Sequence, residues 1–561
     1  MKKILYSLCI TAVLYSCNPG NDQSSTTKLT ETIITPSDSV SVSYVNLVQH
    51  EPENVDPSIT KENAYSDLFI DSNMLIKFIS QNDITQADAI GMKNFYKNRS
   101  YQYAWFNTDG LTEQGRGFWS LYSYDEKRSA NKLLKQRMDT LAEKDTLTIA
   151  SSDSSYIKTE LSLTKEFMQY ARLNPDKIFT NQLSINQFVP AKKQDALILA
   201  DTVLTTKTDT VNKSNSAYGA LKQHLLKYSA AAKQGGWQPI SLKSKLKKGV
   251  SSPLISSIKK RMQITGDYSL SDTSRLFNDS LEIAVKSMQQ RMGFTASGII
   301  NDSLIKELNV PVAQRIEQIM INMNRMLWLP ATNSENHITV NVPEFLLKVY
   351  EGNAKAFDMN VIVGKQGSNT MMFYGDLNQI VFSPYWNIPT GIVRDELMPA
   401  MKKNPNYLKS KNIEITGKKD SLPTMRQLPG AGNSLGQAKF LFPNSYDIYF
   451  HDTDAKSLFN KRNRALSHGC IRLQDAQKMA QYLLRNDASW PVEKINEAMN
   501  SGKEQWVRMK NAVPVTLTYF TAWVDENGLL NFRDDVYGKD KQIREKMFEG
   551  NIKKNDMAKV L

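Results

Sequence analysis

Cysteine is almost missing from this chain: there are three in 561 residues, at Cys9, Cys17 and Cys470. Histidine is nearly as scarce, with five. Together these shortages exclude a disulfide framework and any zinc site of the paired-cysteine kind. Beyond the first residues there is no long apolar run either. Hydrophobic residues make up 41% of the chain, enough for ordinary cores and too little for a multi-span membrane protein. No internal repeat and no nucleic-acid motif is visible. The length points to roughly three or four domains.

The one apolar run lies at the start. Lys2 and Lys3 precede "ILYSLCITAVLYS", followed by Cys17. The run is too short to span a bilayer, and its basic flank and the small Ser16 mark a secretory signal. "LYSC" (Leu14 to Cys17) resembles a bacterial lipobox, against the plainer alternative of a signal cleaved elsewhere. The resemblance implies that Cys17 carries a lipid and becomes the mature N-terminus. The expected location is the cell envelope, as a periplasm-facing membrane lipoprotein. Cys470 is then the one thiol left in the folded body, free and available for chemistry. A buried, inert thiol is the alternative, but Ser467, His468, Gly469 and Arg472 around it are small or polar. The net charge of +13 favours anionic partners such as phospholipid head groups or cell-wall carboxylates. Its lysines are spread along the chain, which also suits a solvated surface.

Ser24 to Ser43 holds 11 Ser or Thr in 20 residues and reads as part of a flexible tether over 18–65. Residues 66–243 are helical in pattern: Ile157, Leu161, Met168 and Ala171 recur at helical spacing. Two aromatic-rich stretches there, "YQYAWFNTDGLTEQG" (Tyr101 to Gly115) and "GGWQPI" (Gly235 to Ile240), carry no chemistry legible from sequence. In 244–310, one helix is predicted on Leu281, Val285 and Met288, turns at Gly293 and Gly298, and another helix from Ser303. "AVKSMQQRMGFTASGIINDSLIKEL" is similar to the small three-helix peptidoglycan-binding module, with Met288 in place of the usual aromatic and Ala296 in place of an acidic residue. A connecting helix follows in 311–330, with Ile316, Ile319, Met323 and Met326 on one face. From 331 to 545 the pattern turns to strands: "HITVNV", "KAFDMNVIVG", "NQIVFS" and "YDIYFH". Residues 546–561 form a tail.

The strand pattern "YDIYFH" (Tyr446 to His451) ends in a histidine 19 residues before Cys470. A thiol needs a base or a cation to become a strong nucleophile, and two of the five histidines stand here. His468 is two residues from Cys470; His451 sits at the more rigid strand end. If the strand runs through His451, Tyr449 lies on its face and Asp452 points away, leaving a backbone carbonyl to orient the imidazole. His50, His224 and His337 are read as surface or packing residues. Zinc binding by His451, His468 and Cys470 lacks a fourth ligand; a redox role lacks a resolving thiol; a structural role for both histidines is the remaining alternative.

"HDTDAKSLFNKRNRALSHGCIRL" (His451 to Leu473) resembles the L,D-transpeptidase signature: a histidine, a gap, then Ser-His-Gly-Cys and an arginine. "SPYWNIP" (Ser383 to Pro389), "QLPGAGNSLGQAKFLFPNSYDIYFHDT" and "VPVTLTYFTAWVDENGLLNFRDDVYGKD" match as well, and the chain looks like the large, multidomain L,D-transpeptidases of the Gram-negative periplasm. The resemblance implies an α+β multidomain protein: a helical N-terminal scaffold, a small three-helix peptidoglycan-binding-like module and a β-rich catalytic domain. It implies Cys470 as nucleophile and His451 as base, with His468 not the essential base. The N–H groups of His468, Gly469 and Cys470 become oxyanion candidates in the turn begun by Ser467. Arg472 is expected to fix the loop or bind a stem carboxylate, and Tyr449 to line the pocket. Residues 391–416 would form a lid. The implied substrates are peptidoglycan stem peptides, as donor and acceptor. The implied reaction needs no cofactor and no metal, and carbapenem-type β-lactams are expected to acylate the thiol. A carboxypeptidase or endopeptidase, a protein-to-wall linking enzyme, and a non-catalytic wall-binding scaffold are the competing expectations.

Overall fold

The computed structural model describes residues 55–124, 131–142, 148–150, 153–174, 188–205, 216–330 and 336–549. The leader, Cys17, His50, the tether up to residue 54 and the tail from residue 550 lie outside these. Among the described residues no helix is long and apolar enough to cross a membrane. Helices dominate up to residue 326 and strands thereafter.

The first core is aromatic. Helices Gln86–Lys97, Glu113–Tyr124 and Ser154–Leu173 surround Phe95, Trp105, Phe118 and Phe167. The last of these helices buries Leu161, Met168 and Ala171 and is capped by the Asp153 side chain. The "YQYAWF" stretch is legible here as packing. It feeds a two-stranded hairpin, β1 (Phe106–Asn107) and β2 (Gly110–Leu111), that lays Trp105 fully buried in the core. Glu160 is also fully buried and accepts bonds from the Ala104 and Trp105 N–H groups and from the Tyr96 hydroxyl. A carboxylate without water must be met this way.

Residues 196–240 contribute side chains to a second core. Helices Ala196–Thr205 and Ser216–Lys233 pack with helices Pro253–Thr265, Asp279–Arg291 and Asp302–Leu308. The last of these begins one residue before the predicted Ser303, because the Asn301 side chain caps it. In "GGWQPI", Gly235 and Gly236 take positive φ to end a helix, and Trp237 stacks under Arg261.

The connecting helix Val312–Met326 departs from its one-faced pattern: every residue from Ile319 to Met326 is buried. Three bodies pack around it, so its polar side needs partners. Arg325 supplies the main one. Its guanidinium donates to Glu113 and to Asp540, each at 2.5 Å, and lies 5.1 Å over the Tyr519 ring. Asp540 sits on helix Lys539–Met547, which packs into the second core although it follows the strands in sequence.

The strand-rich part holds β3 (Asn336–Asn341), β4 (Leu346–Glu351), β5 (Ala354–Gly364), β6 (Phe373–Phe382), β7 (Trp386–Asn387), β8 (Ile413–Lys419), β9 (Leu422–Gln427), β10 (Ala438–Leu441), β11 (Phe450–His451), β12 (Ala465–Ser467), β13 (Ile471–Leu473), β14 (Gln505–Thr518), β15 (Ala522–Val524) and β16 (Leu530–Phe532). Strands run in the order β5-β13-β11-β10-β6-β14-β3-β4, and β4 pairs back onto β5, so the sheet closes into a barrel with β12 appended to β5. Alternate residues such as Ile338, Val340, Ile380, Phe440, Phe450 and Ile471 fill the interior. Between β6 and β10, β7–β8–β9 and the intervening turns form a separate small body around Ile388, Val393, Leu397 and Met425. It extends further than the expected lid of 391–416.

Replacing Arg325 by Met leaves Glu113 and Asp540 buried without their cation. The expected cost is about 3–5 kcal/mol, seen as an earlier first transition in scanning calorimetry and faster limited proteolysis.

Candidate active site

The site is built on two short parallel strands. β11 and β13 pair with Phe450 opposite Ile471 and His451 opposite Arg472. Phe450 and Ile471 point into the core and are fully buried. Period-two alternation therefore sends Tyr449, His451, Cys470 and Arg472 to the outer face together. The predicted strand over Tyr446 to His451 is real only at Phe450–His451; Asp447, with φ +52°, bends the chain before it. That bend brings the Asp447 carbonyl to the thiol, which donates to it at 3.6 Å.

His451 is buried, and its Nδ1 lies 2.6 Å from the Asp452 carbonyl oxygen. A carbonyl accepts only, so Nδ1 carries the proton and Nε2 of the neutral ring keeps a lone pair. The Asp452 carboxylate is engaged elsewhere, by Lys456 at 2.6 Å and by the Gln437 N–H at 3.0 Å. Burial, helped by the Arg472 charge, pushes the His451 pKa down to about 3. Cys470 is half-buried, against the open thiol that its small and polar neighbours suggested, and burial pushes its pKa up. The resting pair is thus thiol and neutral imidazole. Tyr449 lies beside His451 with ring centroids 5.8 Å apart and the rings tilted at 58°.

His468 points the other way. Its Nε2 meets Glu396 Oε1 at 2.7 Å, in the π-helical turn Val393–Leu397 of the inserted body. Ser467 is buried and spans the turn: its hydroxyl donates to the Cys470 carbonyl at 2.6 Å and accepts from the Gly469 N–H at 3.2 Å. Gly469 N–H is therefore occupied within the turn. Arg472 keeps a buried Nε with no hydrogen-bond partner among the described residues.

What braces the turn is absent from any local signal. Thr370 donates to the Gly469 carbonyl at 2.6 Å and accepts from the Gly364 N–H at 2.9 Å. The Tyr537 hydroxyl donates to the Gly364 carbonyl at 2.7 Å and accepts from the Thr370 N–H. Gly364 is tightly enclosed: a Cβ there would lie 1.9 Å from the Ser368 carbonyl and 3.1 Å from the Gly469 Cα. Thr370 and Tyr537 lie far from Cys470 in sequence, and only the barrel brings them to it. No cluster of His, Cys, Asp and Glu able to hold a metal exists among the described residues.

Residues 335–494 match the L,D-transpeptidase catalytic domain (YkuD), and residues 91–225 match the Scaffold domain. A Haemophilus influenzae protein whose name carries "L,D-transpeptidase" is 33% identical over 242 residues, covering 40% of this chain and 49% of that protein. The chain thus spans about half the length of that relative. Among solved structures, an L,D-transpeptidase from Stackebrandtia nassauensis is 14% identical over 50% of this chain and 97% of its own, with TM-score 0.21. One from Mycobacterium smegmatis is 12% identical over 33% of this chain and 58% of its own, with TM-score 0.19. Those two scores are too low to support a shared architecture. The chain carries an L,D-transpeptidase catalytic domain joined to a Scaffold domain.

Two outcomes are expected here. Iodoacetamide should alkylate Cys470 with a rate that keeps rising above pH 8.5, and a plateau between pH 5 and 7 would contradict a resting thiol. Gly364→Ala should displace the turn and slow alkylation or β-lactam adduct formation, while the melting transition of the helical cores stays in place.

Proposed function

We propose that the chain is a peptidoglycan L,D-transpeptidase that cross-links third-position stem residues through a thioester on Cys470. The observation that carries this reading is the shared face of His451 and Cys470, with Nδ1 of His451 held by the Asp452 carbonyl. In the first half-reaction, Nε2 takes the thiol proton as sulfur attacks the carbonyl between the third residue and the terminal D-alanine of a tetrapeptide stem. The C–N bond breaks, and the same proton goes to the departing D-alanine amine. In the second half, the side-chain amine of a neighbouring stem attacks the thioester, and its proton returns by way of His451 to the sulfur. No energy source is needed, because the thioester conserves that of the broken amide.

A neutral resting pair suits this order of events. The proton moves only as the C–S bond forms, so no buried charge pair has to be sustained between turnovers. With Gly469 N–H taken by Ser467, the N–H groups of His468 and Cys470 remain as oxyanion donors, each typically worth about 2.7–4 kcal/mol. Arg472, with its unpartnered Nε, is positioned for a stem carboxylate. The same attack on a carbapenem ring would leave a stable acyl-enzyme.

The wider reading follows from the chain's first residues. Cys17 carries lipid, the Ser/Thr-rich tether gives reach, and the folded part works on the wall from a periplasm-facing membrane surface. The module in 244–310 is read as peptidoglycan-binding-like.

The test uses the full-length chain in detergent with a disaccharide-tetrapeptide, analysed by mass spectrometry beside Cys470→Ala. A cross-linked dimer lacking one alanine is expected, and none from the variant. Tripeptide monomer alone would make the protein a carboxypeptidase; no product, with retained wall binding, would make it a scaffold. His451→Ala should lower turnover by about 10²–10⁴-fold.

A further inference from the structure

The outer face that holds the nucleophile does not end at β11. β10 places Lys439 directly opposite His451, β6 places Val381 opposite Lys439, and β14 places Trp506 opposite Val381. Arg472, His451, Lys439, Val381 and Trp506 are thus one row across five neighbouring strands on the face away from the barrel interior, with Val381 and His451 themselves buried. The next row on that face starts at Cys470 and Tyr449. It passes Leu441 and Gln379, which are paired, and ends at Arg508, paired to Gln379.

The far end of these rows is built for contact. Trp506, the second residue of β14, is 55% exposed, which is unusual for an indole. Its Nε1 donates to Glu504 at 2.9 Å, which fixes the ring and leaves a face open. Lys439 is half-buried, and its ammonium meets the Trp506 ring at 5.1 Å rather than a carboxylate. Burial pushes its pKa down, with Glu504 the one nearby charge that opposes this. Glu504 itself is occupied by Trp506 and by the Tyr385 N–H. Arg508 is exposed on the same face. An open aromatic face beside cations with no carboxylate partner among the described residues is complementary to a ligand carrying both a ring and acidic groups.

We propose that Trp506, Lys439 and Arg508 form a subsite for the sugar-bearing end of a wall peptide, the indole stacking on an amino-sugar ring and the two cations taking stem carboxylates. This rests on the reading of Cys470 as the acyl-transfer nucleophile of a stem peptide. The distance fits. Four strand spacings separate the Arg472 and Trp506 columns, about 19 Å. Three extended residues between scissile carbonyl and sugar cover about 10–11 Å, and the lactyl arm and sugar ring continue in the same direction. The donor peptide therefore lies across the strands, from the thiol on β13 to the indole on β14.

Binding is measured with the full-length Cys470→Ser chain, by calorimetry, against a disaccharide-tetrapeptide and against the same tetrapeptide without sugars. Trp506→Ala should weaken the sugar-bearing ligand about tenfold and shift the sugar-free one by less than twofold. Trp506→Phe should recover part of the loss. Lys439→Met should weaken both ligands. Equal weakening of the two ligands by Trp506→Ala, or no weakening of either, overturns the subsite. Absence of D-alanine release by the unsubstituted chain would instead overturn the acyl-transfer reading, and the binding ratio still decides the subsite.

Discussion

One guanidinium ties the molecule together. Arg325, buried on the connecting helix, joins Glu113 of the aromatic-cored region to Asp540 of the C-terminal helix, and its charge lies over Tyr519. Asp540 in turn accepts from Thr521, whose N–H donates to Asn322. A buried cation between two carboxylates tolerates little displacement, because any opening leaves charge without water or partner. From Tyr519 the constraint passes on. Its hydroxyl accepts from the Tyr537 N–H, its ring stacks on Tyr537, and Tyr537 holds Gly364 and Thr370 under the catalytic turn. The helical region, the C-terminal helix and the turn bearing Cys470 are thus connected by hydrogen bonds and packing without a gap.

Within that frame the chemistry depends on burial. Taking His451 out of water lowers its basicity, and partial burial of Cys470 raises that of the thiolate. Both changes favour the uncharged pair. The Asp452 carbonyl offsets part of the cost by fixing the tautomer that leaves Nε2 available. Asp452 is useful here through its backbone, and its side chain is spent on Lys456 and on the turn at Gly436.

The inserted body meets the site where Glu396 pairs with His468. It has its own small apolar core, and its exposed Lys402, Lys403, Lys409 and Lys411 face solvent. The helical region also meets the strand-rich part. Tyr124 donates to Asp376 at the start of β6, and Ser445 donates to Asp139 beside the bend that carries Asp447.

Local pattern determined a good deal by itself. The 3.6-residue spacing of Leu161, Met168 and Ala171 gave a helix, alternation at Ile338 and Val340 gave a strand, and the Ser-His-Gly-Cys-x-Arg run singled out Cys470. These are short-range signals, and each is present in a dozen or so residues. Sequence alone could not show that the connecting helix would be enclosed on every side, since polar residues such as Asn322 and Arg325 imply water until their partners are known. Nor could it show that "YQYAWF" is core. Which carbonyl holds the imidazole, the bracing of Gly469 by Thr370 and Tyr537, and the row from Arg472 to Trp506 were decided by tertiary structure. The reason is physical. Register between strands distant in sequence places these groups on one face, and register is set by closure of the barrel around its core, not by any neighbour along the chain.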